Sequence, residues 1–132
     1  MTATDILSNE HRVIEQVLAC LKKIAQQALE AGKLDKGPAE DAIEFLRTFA
    51  DRCHHGKEEV HLFPAMEARG FPHDTGPIGV MLLEHREGRS DVTAMAESLD
   101  GAAVRWPRTG GLQTGLVLRR CCRGVFGFVL VG

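Results

Sequence analysis

The sequence predicts an all-α fold, an up-and-down helical bundle with three clear long helices and an irregular or incomplete fourth element. Three observations carry this expectation. Apolar residues recur at steps of three and four through three long stretches, the links between those stretches are short, and the helical period disappears after Asp100.

The first stretch places Leu7, His11, Ile14, Leu18, Leu21, Ala25 and Ala28 on one seam, the stripe of an amphipathic helix. Thr4 or Asp5 is expected to cap its start, and Gly32 to end it. The second opens around Gly37-Pro38, a proline suited to a first helical turn. It runs through Ile43, Leu46, Ala50 and His54 to about Arg69. Pro64 is expected to kink this helix or end it early, because proline lacks the N–H and clashes one turn back. After the loop GFPHDTGP, the third helix starts at Pro77 with the seam Ile78, Leu82, His85, Gly88, Val92, Met95 and Leu99. Short links between long helices make consecutive ones antiparallel neighbours.

A bundle wants a fourth helix, and residues 101–132 do not read as one. Pro107, Gly110-Gly111, Gly115, Gly124 and Gly127 interrupt them, and their apolar runs read as short strands or collapsed coil. The chain therefore divides into a helical domain over residues 1–100 and an atypical basic and apolar tail over 101–132. Three helices without a fourth expose an apolar seam, which points to a homo-oligomer or to cover by the Val125–Val131 run.

The 132 residues suffice for one domain with a real core, and 44% hydrophobic with 26% charged residues is ordinary for a globular chain. A net charge of −2 argues against nucleic acid as a partner, since phosphate neutralisation needs a basic excess. The balance is uneven: residues 1–100 hold all 18 acidic and 11 of the 16 basic side chains, and the tail holds five arginines and no acid. The N-terminus lacks the pattern of a signal peptide, and no apolar window is long enough for a membrane span. Cys20 and Cys53 lie within helical patterns and Cys121-Cys122 are sequence neighbours, which suits a reducing compartment and a cytoplasmic protein. Cys53 is expected to be a small buried residue.

All six histidines fall between residues 11 and 85. His11 and His85 occupy seam positions where leucine would be the plain choice, and a buried imidazole needs partners for its nitrogens. One such histidine is more often a hydrogen-bonded core residue; two on different helices favour a shared ligand. His54 and Glu58 are four apart, so both leave one helical face and can chelate a common metal. Imidazole and carboxylate together suit iron, zinc or manganese. The plain reading of this segment is a solvated, charged helix surface. His55 and Glu59 offer the same spacing in a register rotated by about 100°, and His55 by itself reads as a helix–helix contact or a ligand reaching the site from the flank. His61 returns close to the direction of His54 and stands as a substitute ligand or an exposed histidine. His73 is expected in solvent, and Glu15 on the surface.

Taken together, Glu10-His11, HHGKEE followed by LFPAM, and GPIGVMLLEHREGR resemble the hemerythrin-like (HHE cation-binding) family over about residues 5–100. The resemblance implies a four-helix bundle with a non-haem di-iron centre. It assigns His11 as the helix-one ligand, His54 and Glu58 as the helix-two pair with Glu58 bridging both irons, and His85 as the helix-three ligand. The family's fourth helix adds a histidine and a second carboxylate, but residues 101–132 contain no His, Asp or Glu. His11, His54, Glu58 and His85 then make a single or partial site. The implied function is binding or sensing of dioxygen, nitric oxide or peroxide, or iron handling, with a binding role favoured over an enzymatic one that stays open. The rival readings are a metal-poor bundle acting as an interaction module, and a non-haem iron redox enzyme.

Overall fold

The computed structural model describes residues 1–101. The tail beyond them, with Cys121-Cys122 and Val125–Val131, lies outside the described residues. The described chain is an all-α up-and-down bundle of three rods.

The first rod, α1 (Ala3–Ala31), buries Leu7, Ile14, Leu18, Leu21 and Ala28, the seam expected from the periodicity. Its cap is Thr2, not Thr4 or Asp5. The Thr2 hydroxyl accepts the Asp5 backbone N–H, and the Asp5 carboxylate accepts the Thr2 N–H at 2.7 Å. Asp5 instead fills the third helical position, from which a carboxylate reaches back to close a capping box. Gly32 ends the rod in the left-handed region at φ 66°, where lack of a Cβ removes the strain.

The second rod begins as α2 (Lys36–Phe45), widens into π-helical turns over Leu46–His55 and Glu58–Leu62, and closes as α3 (Phe63–Glu67). Phe45, Gly56 and Leu62 at the junctions all keep right-handed helical dihedrals, so the rod is not interrupted. Pro64 neither breaks nor ends it. The wide turns precede the proline, which falls in the first turn of α3, where its missing N–H leaves no intrahelical bond unmade. The third rod, α4 (Gly76–Gly101), follows a turn in which Gly70 has φ 92°. Gly79 lets that turn approach: a Cβ there would lie 2.6 Å from the Asp74 carbonyl.

The second rod is central. α1 and α4 each pack against α2 and against the first π-helical segment. The apolar core unites Ile14, Leu18 and Leu21 of α1, Ala39 to Ala50 of the second rod, and Met95 and Leu99 of α4. Beyond it lie the buried Leu7, Phe63 and Ile78. Each rod thus carries apolar residues on either side of its polar positions: Leu7 and Ile14 around His11, Ala50 and Phe63 around His54 and Glu58, Ile78 and Met95 around His85. No helix among the described residues is long and apolar enough to cross a membrane.

Candidate metal centre

The polar positions converge. His54, Glu58 and His85 are the buried polar or charged residues of the described chain, exposed by only 1%, 2% and 1%. A carboxylate at that depth costs several kcal/mol in desolvation unless paired or coordinated. Glu58 turns one oxygen each way. Its Oε1 lies 3.4 Å from His54 Nε2 and 3.9 Å from His11 Nε2, and its Oε2 lies 3.0 Å from His85 Nε2.

Two groups of donors result, each with ligand atoms within 4.8 Å of one another: His11, His54 and Glu58, and His55, Glu58 and His85. Donors bound at about 2.1 Å to one ion stand no more than about 4.2 Å apart, so the Glu58 contacts above have the right scale. His54 Nε2 and Glu58 Oε2 are buried without an aligned hydrogen-bond partner among the described residues. Buried polar atoms in proteins are rarely left so, and a cation on each side of the Glu58 carboxylate would satisfy them, one beside His54 and one beside His85. The donor set fits a metal.

The opposite ring nitrogens are held by carboxylates. His54 Nδ1 lies 2.9 Å from Glu10 of α1, and Lys57 in turn donates to Glu10. His85 Nδ1 lies 2.8 Å from Glu59, and His55 Nδ1 lies 3.2 Å from Asp51. An imidazole that gives its Nδ1–H to a carboxylate presents its Nε2 lone pair on the other side, which is how metal-ligating histidines are oriented. The rings also meet directly. His11 and His54 sit edge to face at 4.4 Å, and His55 stacks on His85 at 3.8 Å.

Charge follows from these contacts. Burial opposes ionisation of Glu58, but the imidazoles of His54 and His85 outweigh it and hold the carboxyl at about 2. Burial, with the neighbouring His85, pushes His55 down to about 4. Burial and the charge of His54 likewise lower His11. Burial also works against a charged His54, yet Glu58 and Glu10 prevail and raise it. His11 and His55 therefore favour the neutral form that ligates, beside an ionised carboxylate.

A cavity of about 290 Å³ opens against one side of the centre. It reaches His11, His54 and His55, with Ile14, Leu18 and Ala50 among its apolar walls.

The structure thus brings together all four residues singled out in the sequence, His11, His54, Glu58 and His85, and adds His55. From the sequence His55 stands only as an alternative register with Glu59 or a ligand from the flank, because adjacent residues of an α-helix point about 100° apart. The wider i→i+5 turns of Leu46–His55 set both histidines toward Glu58. Glu59 is an outer support of His85, not a member of either donor group. His61 is exposed, and His73 is exposed with its Nδ1 2.7 Å from Glu67. Cys53 is exposed, not buried, because its neighbour His54 takes the inward direction. The outer supports Glu10, Asp51 and Arg89 were also missed. Spacing of four, Asp51 to His55 and His85 to Arg89, was the signal available for two of them.

No curated protein and no solved structure matches the chain. The family model described as the hemerythrin HHE cation binding domain matches residues 2–120. Spanning most of the sequence, and falling on a bundle whose rods gather four histidines around one glutamate, that match makes the chain a member of the hemerythrin HHE cation-binding domain family.

Proposed function

We propose that this protein binds non-haem iron between its helices and uses it to bind or sense dioxygen or a related small ligand such as nitric oxide or peroxide. The observation that carries the reading is the sharing of Glu58 between two groups of two histidines each. Two histidines and one carboxylate form the donor set of non-haem ferrous sites that keep coordination positions open. In this reading His11 and His54 would hold one iron and His55 and His85 the second, with Glu58 a donor common to both, so the His55 side chain would supply part of what the resemblance assigned to a fourth helix. Iron, when bound, supplies reversible electron donation to a small oxidising ligand.

The chain's own residues do the rest. Glu10, Glu59 and Asp51 keep the Nδ1 protons of His54, His85 and His55 engaged, which leaves Nε2 for the metal. Ile14, Leu18, Leu46, Ala50 and Val92 make much of the cavity wall apolar, beside the polar Asp51 and Arg89, which suits a small ligand of low charge. The buried ring of Phe63 lies against His85, with ring centroids 5.8 Å apart.

Anaerobic loading with ferrous iron, followed by elemental analysis and an optical spectrum in air, tests the proposal. Two iron per chain and new near-ultraviolet absorption on exposure to oxygen support it; failure to retain iron sinks it. The cavity beside His54 favours a second reading, a redox enzyme acting on a small apolar substrate at the same metal. Sustained turnover of hydrogen peroxide, in place of stoichiometric binding, would select that reading.

A further inference from the structure

The two donor groups have separate outer supports, and in one of them a single side chain joins both supporting carboxylates. Arg89 of α4 donates from Nε to Asp51 Oδ1 at 2.7 Å and from Nη2 to Glu59 Oε1 at 2.8 Å. Those same two oxygens face the ring nitrogens of the second donor group: Asp51 Oδ1 is 3.2 Å from His55 Nδ1, and Glu59 Oε1 is 2.8 Å from His85 Nδ1. One guanidinium therefore ties together the carboxylates behind both histidines of that group. The first group is supported differently, with Lys57 holding Glu10 and Glu10 facing His54.

We infer that Arg89 is a positioning residue for the His55–His85 half of the centre, and that two independent clamps, Arg89 and Lys57, set the two halves separately. The inference rests on the two-iron reading above.

The physical reason lies in the fork. A guanidinium offers directed donors in one plane, so Nε and Nη2 can fix two carboxylates at a set separation. Asp51 and Glu59 are each about a third exposed, at 35% and 29%, and without the fork either can turn to solvent. Their imidazoles would then lose the orientation that presents Nε2. A lysine keeps the charge but not the paired, planar donors. Partly solvent-exposed ion pairs contribute little to folding, so removing Arg89 should leave the bundle intact and isolate the effect on the metal.

The test compares wild type, Arg89→Ala, Arg89→Lys and Lys57→Ala by anaerobic calorimetric titration with ferrous iron, with elemental analysis and thermal melting of each metal-free protein. Wild type should take two ions. Arg89→Ala should bind the first ion as wild type does and the second about 10- to 100-fold more weakly, the usual effect of losing an outer partner of a metal ligand. Arg89→Lys should not restore the second ion. Lys57→Ala should weaken the ion that Arg89→Ala leaves alone. The melting curves of the metal-free variants should match wild type. Two unchanged ions in Arg89→Ala, or equal weakening of both, overturn the inference. A wild-type protein that takes a single ion also overturns it while leaving iron binding in place. Retention of no iron at all brings down the underlying reading as well.

Discussion

His55 and His85 lie face to face, their ring centroids 3.8 Å apart and their planes 15° from parallel. They come from different rods, and the contact joins the central rod to α4 at the depth of Glu58. Burial penalises a charged ring, and the stacked His85 adds to the penalty, so His55 is pushed down to about 4.

The metal-free protein should therefore show a stability maximum near pH 6.5. The folded value of His55, about 4, lies below its ordinary 6.5, so between these values the unfolded chain binds more protons than the folded one. Its contribution is complete above 6.5 and is lost as pH falls toward 4. His54 runs the other way. Its folded value is raised, so its contribution is complete below 6.5 and is lost as pH rises through the raised value. On the acid limb His55 accounts for on the order of 3 kcal/mol. Melting temperature measured from pH 4.5 to 8.5 should rise and then fall. His55→Phe should flatten the acid limb and Glu10→Gln the alkaline one; a curve still climbing above pH 8 contradicts the assignment.

Iron loading near pH 6.5 should release a proton. His54 holds its proton to higher pH than an ordinary imidazole, and Glu10 keeps the Nδ1 side engaged, so the proton displaced is the one on Nε2. Affinity should fall as pH drops, and the fall should begin above 6.5. Titrations in buffers of different ionisation enthalpy count the proton directly. Glu10→Gln should reduce that count and weaken binding by about 10- to 100-fold.

Glu58 is the one residue common to both donor groups. Glu58→Gln should abolish retention of both ions, whereas loss of either histidine pair should spare one. His61→Ala is the control. His61 is exposed and belongs to neither group, so its replacement should leave iron content unchanged. Elemental analysis of the purified variants decides between these outcomes.

Two glycines of α4 should respond oppositely to alanine. At Gly79 a Cβ would stand 2.6 Å from the Asp74 carbonyl carbon and oxygen, both backbone atoms that cannot turn aside. Gly79→Ala should cost about 1–3 kcal/mol through the shift forced on the turn before α4. At Gly88 nothing lies within 4 Å of the added Cβ. Gly88→Ala should stabilise by up to about 1 kcal/mol from helix propensity. Urea denaturation of the metal-free proteins measures both, and a destabilised Gly88→Ala would contradict the open space there.

The rods were legible because burial repeats along a helix. Leu7, Ile14, Leu18 and Leu21, then Ile43, Leu46 and Ala50, then Ile78, Met95 and Leu99 are buried where the steps of three and four place them. His11 and His85 stood out for the same reason, as polar residues in apolar seams. Thr2 was passed over because Thr4 and Asp5 also suit a cap, and only the closed box distinguishes them. Pro64 misled because its penalty was weighed for a regular α-helix, and the π-helical turns ahead of it remove that penalty.

What the sequence alone determined is the residue types and their one-dimensional order: three amphipathic periods, histidines within them, and a His-x-x-x-Glu pair on the second. What only the tertiary structure decided is which donors share a point in space. The second rod's wide turns bring His55 beside His54, and Glu10, Asp51, Glu59 and Arg89 find partners 26 to 44 residues away in several of their contacts. A helical period records which face a side chain leaves from. It carries no information about the neighbour waiting on another rod, because that pairing is set by how the rods pack.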